Sequence, residues 1–219
     1  MKTAVITGAS RGIGKATAEK FLNEGWKVIG TSIDGCGWQN PNISWIQLDL
    51  TEPESIVRAV NAIKKVSIDV LINNAGAYPN EEESHNTSIK RRTLREILEV
   101  NLIGTVDFTE QILEYIKPDG HIILIGSRAG SLTVERVKTS EPSYRISKAA
   151  LSMYTRLLAE RLRDTKIIVS IVDPGWVRTD MGGPDAERDP EEPAEEVFIL
   201  ATSNVPSGKF WREGKERDW

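Results

Sequence analysis

The stretch Thr3–Gly14, TAVITGASRGIG, decides how the chain is read. A short β-branched run ends in a turn with glycines at positions 8, 12 and 14, and an amphipathic pattern begins directly after it. Glycine allows tight turning and close approach of backbone amides to a ligand. A helix that opens on such a turn presents free N–H groups and partial positive charge, which suits a pyrophosphate. The spacing G-x-x-x-G-x-G is not a Walker A loop: Ala9 stands where that loop has its first glycine, and Ala16 where it has Ser or Thr.

Outward from this turn, strand-like and helix-like segments alternate. Strands are expected at 3–7, 26–31, 44–50, 68–72, 121–126, 166–172 and near 209–211, and helices at 14–25, 51–66, 92–116 and 143–162. A further helix is expected near Pro190, a residue suited to a helix's first position. Such alternation predicts an α/β fold, a mainly parallel doubly wound sheet with helices on both faces. No boundary divides residues 1–219 into separate domains. The polar stretch 78–92 reads as a solvated loop entering a helix.

Composition narrows the partners. A net charge of −4 argues against nucleic acid. No apolar run approaches the ~20 residues of a membrane span, so no membrane is expected. The N-terminal residues go straight into a strand, leaving no room for a signal peptide, and the single cysteine, Cys36, fits a reducing cytoplasm. His85 and His121 stand apart, and no metal site is expected.

In SYRISKAALS (143–152), Tyr144 and Lys148 are four residues apart and share a helix face. An ammonium near a phenol favours phenolate and makes Tyr144 a plausible proton donor and acceptor. Taken together, TGASRGIG, NNAG (73–76), Asn101 within a long helix, Ser127 after a strand, YRISK and PGWVRTDMGGP (174–184) resemble the short-chain dehydrogenase/reductases. The resemblance runs from about residue 3 to the C-terminus and implies a Rossmann-like sheet of seven strands with one active site at the strands' C-terminal edge.

By that resemblance Tyr144 is the acid–base residue, and Lys148 also binds the nicotinamide ribose. Ser127 bonds the carbonyl oxygen, with Ser131 as the fallback, and Asn101 holds a water in a relay to Lys148. The cofactor would contact Gly8, Ser10, Arg11, Gly12, Ile13 and Gly14 in the first turn, then Asp49 and Leu50 near the adenine. Asn74, Ala75 and Gly76 would pass the adenine-side ribose, and Pro174, Gly175, Val177 and Thr179 the nicotinamide. Trp176 either walls the substrate pocket or packs under the sheet. At the ribose, neutral Ser32 with basic Arg11 points to NADP(H) in preference to NAD(H). Asp34 would reverse that preference if the second strand ran two residues longer.

PGWVRTDMGGP and the ending SGKFWREGKERDW look most like the carbonyl-reductase-type branch, with a short segment at 182–193. The implied activity is reduction of an aldehyde, ketone or quinone. The alternatives are a 3-oxoacyl-thioester reductase, although the C-terminal "DGG" of such enzymes is missing, and a dinucleotide-bound signalling protein or sensor without turnover. The family's habit implies a homodimer through the helices near 92–116 and 143–162, with a tetramer or a monomer open.

Overall fold

The computed structural model describes residues 1–79 and 88–219; His85 and the middle of the polar stretch 78–92 lie outside them. One sheet contains every strand, β1 (Thr3–Ile6), β2 (Lys27–Ser32), β3 (Ile43–Gln47), β4 (Ile68–Asn73), β5 (Ile116–Ile125), β6 (Ile168–Val172), β7 (Lys209–Arg212) and β8 (Lys215–Arg217). Its order is β3-β2-β1-β4-β5-β6-β7-β8, parallel as far as β7. The direction of winding reverses between β1 and β4, and that reversal opens a crevice at the strands' C-terminal ends. Among the described residues the strand count is eight rather than the expected seven, because β8 folds back antiparallel on β7 through Glu213–Gly214. Its residues Lys215–Arg217 are all exposed and carry no apolar pattern to announce a strand.

Helices α1 (Gly12–Asn23) and α6 (Glu191–Thr202) cover one face. Phe21, Leu22, Val197 and Leu200 pack there on Ile6, Val28, Ile72 and Ile123. Helices α2 (Pro53–Ile63), α4 (Thr105–Ile112) and α5 (Pro142–Arg161) cover the other face, with α3 (Arg91–Leu98) leading into α4. There Ile56, Phe108, Ile112, Leu151 and Leu158 meet Val5, Leu71, Ile122 and Leu124. Neighbouring residues of β4 and β5 thus serve opposite cores, as the two-residue period of a strand requires. Among the described residues no helix is long and apolar enough to cross a membrane.

The helix expected over 92–116 is not continuous. Between α3 and α4 lies a π-helical turn, Glu99–Gly104, and Leu113–Tyr115 forms a 3-10 turn. Thr105 Oγ1 donates to the Val100 carbonyl, five residues back, at 2.9 Å. Gly104 lies against the loop after β3, where an added Cβ would come within 1.9 Å of the Leu50 carbonyl oxygen. The turn bulges Asn101 inward, 1% exposed. Strand β5 begins earlier than expected, and its register slips between the Ile68–Ile116 and Val70–His121 pairs.

His121 lies within the sheet, 3% exposed, with Nε2 2.9 Å from Ser170 Oγ. Burial lowers its pKa from 6.5 to about 4. Above pH 6.5 the imidazole is neutral whether the chain is folded or not. Below it, only the unfolded chain takes up the proton, so stability is lost as pH falls from 6.5 through about 4. The loss is about 3 kcal/mol at 1.36 kcal/mol per pKa unit. Urea unfolding across this range should show it, and His121→Asn should remove that part of the slope.

Candidate active site

The turn after β1 is held from below by the segment after β4. Asn74 Nδ2 donates to the carbonyls of Thr7 at 2.9 Å and Gly8 at 3.1 Å. Thr7 Oγ1 accepts from the amides of Asn74 and Ala75 at 3.0 and 2.9 Å. Gly8 and Gly12 have φ of +65° and +54°. At Gly14 a Cβ would come 2.2 Å from the Gly8 carbonyl and 2.4 Å from Asn74 Nδ2, so the turn closes only on glycine. Helix α1 then starts with no side-chain cap and no acid in its first turn. Its uncapped amides and dipole suit an anion, and this cradle fits a dinucleotide's pyrophosphate.

Across the crevice, Gly175 turns at φ +80° after β6. Its amide donates to Asp173 Oδ1 at 3.1 Å, and Asp173 Oδ2 accepts from Arg212 Nη1 at 2.9 Å. Arg188 Nη1 donates to the Pro174 carbonyl at 2.9 Å, and its guanidinium pairs with Glu196. Val177 is buried and bridges to Arg188. Thr179 reaches the glycine turn, where a Cβ on Gly12 would lie 3.2 Å from its Cγ2. Trp176 is 48% exposed and donates from Nε1 to the Gly182 carbonyl at 2.7 Å, so it does not pack under the sheet.

Between these walls the structure brings Ser127, Tyr144, Lys148 and Asn101 together. The Ser127 hydroxyl lies beside the Tyr144 phenol and accepts from the Ala129 amide at 3.0 Å. Ser131 instead bonds Thr133, at 3.1 Å between hydroxyls. Lys148 Nζ lies 5.6 Å from the Tyr144 ring centroid and donates to the Ile125 carbonyl at 2.7 Å. Asn101 accepts from the Ala77 amide at 2.7 Å and donates to the Ala77 carbonyl at 2.9 Å and to Ser147 Oγ at 3.1 Å. Gly76 separates Asn101 from Lys148: a Cβ there would stand 3.4 Å from Asn101 Oδ1 and 3.9 Å from Lys148 Nζ.

The electrostatics differ from the expectation that Lys148 pulls the phenol toward phenolate. Burial dominates and raises Tyr144 to about 12, with the neighbouring Ser127 hydroxyl opposing and the Asp173 charge adding. Burial also lowers Lys148 to about 8. Tyr144 is thus a neutral phenol at neutral pH, a proton donor rather than a base.

The adenosine side also departs from expectation in detail. Ser32 ends β2, but its hydroxyl is committed to the next turn, donating to the Cys36 carbonyl at 2.8 Å and accepting from the Cys36 amide at 3.1 Å. Because β2 stops at Ser32, Asp34 lies exposed in that turn. Arg11 Nη1 meets Asp180 Oδ2 at 2.6 Å across the crevice, both side chains largely in water. Asp49 Oδ1 accepts from the Thr51 amide and hydroxyl at 2.9 and 2.7 Å, and Leu50 is buried beside Gly104. Ser10 and Ile13 lie in the glycine turn itself. Among the described residues no group of three His, Cys, Asp or Glu side chains is placed to hold a metal.

Sequence reading did not single out Thr7, Ser147, Asp173 or Arg212. Asp173 left one signal, an acid at the end of an apolar strand. Arg212, 39 residues farther on, left none.

The comparisons with known proteins agree with this geometry. The model of the short chain dehydrogenase family matches residues 2–190. The 3-oxoacyl-[acyl-carrier-protein] reductase FabG of Vibrio cholerae is 33% identical over 82% of this chain and 75% of its own. A short-chain dehydrogenase/reductase from Burkholderia multivorans, solved with bound NADP, superposes with a TM-score of 0.91 at 27% identity, covering 100% of this chain and 99% of that one. NADPH-bound carbonyl reductase from chicken fatty liver gives 0.88 at 27% identity, again covering 100% and 99%. With the glycine cradle, the Ser127–Tyr144–Lys148 cluster and these likenesses in hand, the chain belongs to the short-chain dehydrogenase/reductases, oxidoreductases of CH–OH and C=O groups, in a carbonyl-reductase-like branch.

Proposed function

We propose that this protein is an NADP(H)-dependent reductase of small carbonyl compounds, an aldehyde, ketone or quinone. The observation that carries the reading is the Ser127 hydroxyl beside a half-buried, neutral Tyr144 phenol, with Lys148 Nζ 5.6 Å from its ring centroid. The amides of residues 8–14 and the turns at 74–76 and 174–179 would hold the dinucleotide, which supplies the hydride. Ser127 and Tyr144 orient the carbonyl oxygen. Tyr144 gives its proton to that oxygen as negative charge develops there. The Lys148 ammonium then stabilises the phenolate left behind and holds ribose hydroxyls. Asn101 is the neighbour through which a proton reaches Lys148 by way of water.

A thioester-linked 3-oxoacyl group is the second reading, favoured by the likeness to the Vibrio enzyme. NADPH oxidation followed by absorbance, with small carbonyls against an acetoacetyl thioester, separates the two. Absence of turnover on every carbonyl, with NADPH still bound, would leave the sensor reading standing. In Tyr144→Phe, kcat should fall about 10²–10⁴-fold, the size of general acid catalysis. NADPH affinity, read by fluorescence, should stay within about threefold because the phenol hydroxyl belongs to the proton transfer. Unchanged kcat would remove Tyr144 from the mechanism.

The cofactor preference rests on Arg11. Its pair with Asp180 is too exposed to contribute much, so the guanidinium is free to exchange that carboxylate for a 2′-phosphate. Wild-type kcat/KM should favour NADPH over NADH, and Arg11→Ala should cut the NADPH value about tenfold while leaving NADH nearly unchanged. Equal losses with both cofactors would place Arg11 away from the 2′-phosphate.

A homodimer accounts for exposed Ile146, Met153 and Leu157, which follow one face of α5, and for Ile103 on the π turn. Met153→Lys with Leu157→Glu should convert a dimer to a monomer in sedimentation velocity. An unchanged sedimentation coefficient would exclude this face.

A further inference from the structure

Glu141 immediately precedes helix α5 with φ 51° and ψ 47°, in the left-handed region. Among the described residues the other non-glycine residue with positive φ is Glu213, in the β7–β8 hairpin turn. A hairpin demands such a conformation, but a helix entry does not. Strain of this kind persists where surrounding contacts over-determine it.

Those contacts converge on the phenol. Glu141 Oε2 pairs with Arg145 Nη2 at 2.9 Å, and both side chains are under one-fifth exposed. Arg145 Nε donates to the Ser140 carbonyl at 2.7 Å, tying the end of the 128–141 segment to α5. The Glu141 carboxylate also lies near the Tyr78 phenol, and burial and that carboxylate together raise Tyr78 to about 12, so it remains a donor. The Tyr78 ring then meets the Tyr144 ring edge-on, centroids 5.0 Å apart at 65°. Tyr144 is thereby held on three sides, by the Ser127 hydroxyl, by Lys148 and by the Tyr78 ring.

We propose that Tyr78, Glu141 and Arg145 form a clasp that positions Tyr144, Glu141 fixing the Tyr78 ring and Tyr78 fixing the orientation of the catalytic ring. The consequence for turnover rests on the reductase reading above; the positioning itself does not. A ring aimed by an edge contact loses its aim when that contact goes. Misplacement of a reacting group by an ångström costs up to about a hundredfold in rate. Cofactor binding uses other walls of the crevice and is untouched by the clasp.

The test has two arms on the full chain. In tyrosine-selective 13C NMR without substrate, with the Tyr144 signal assigned through Tyr144→Phe, Tyr78→Leu should shift or broaden that signal. In steady-state reduction of 4-nitrobenzaldehyde with NADPH, Tyr78→Leu should lower kcat about tenfold, with NADPH KM within about twofold. Tyr78→Phe keeps the ring and should recover most of that loss. Tyr78→Phe and Glu141→Gln break the same link, so the double variant should be no worse than the worse single one. Thermal melting confirms that each variant is folded. A Tyr144 signal that shifts in Tyr78→Leu, with a wild-type protein that reduces no carbonyl, would support the clasp and refute the reductase. An unchanged Tyr144 signal in folded Tyr78→Leu, or single effects that multiply in the double variant, would overturn the clasp.

Discussion

The bond from the Asn74 side-chain amide to the carbonyls of Thr7 and Gly8 joins the two turns at the point where the sheet reverses direction. The rest of the site hangs from it. Thr7 Oγ1 returns the tie by accepting from the amides of Asn74 and Ala75. Two residues on, Asn101 grips both backbone groups of Ala77, and its Nδ2 reaches Ser147. The Ser147 hydroxyl donates to the Tyr144 carbonyl at 2.7 Å. A single polar rail thus runs from the phosphate cradle to the helix that carries the phenol. Much of it is buried, where an unpaired member costs about 1–3 kcal/mol, so its geometry is strongly enforced.

Burial also decides the charges along this rail. A pair of residues four apart on a helix suggests a Coulombic effect, ammonium on phenol. In the fold Lys148 is buried and Tyr144 largely so, and desolvation favours the neutral form of each. Tyr144 rises and Lys148 falls for the same reason. On the opposite wall Asp173 is buried, paired with Arg212 and bonded to the Gly175 amide, which fixes the turn after β6.

Local patterns were legible where local physics decides them. The glycines at 8, 12 and 14 were readable because backbone shape there depends on a missing Cβ. The apolar runs of β4 and β5 were readable because both faces of a parallel sheet are covered. The break in the expected 92–116 helix was not, because the π turn depends on Gly104 meeting the Leu50 carbonyl, more than fifty residues earlier. β8 was hidden because a fully exposed three-residue strand carries no apolar period.

The sequence by itself determined the fold class, the glycine turn after β1 and the helix face shared by Tyr144 and Lys148, since spacing and residue type set these through the backbone's own geometry. Tertiary structure alone decided that Ser127 rather than Ser131 faces the phenol, that Ser32 is spent on its own turn, and that Arg11 finds Asp180 169 residues away. It also decided which protonation state burial favours. These outcomes depend on which side chains meet and how much water remains, and neither is encoded in the spacing of neighbours along the chain.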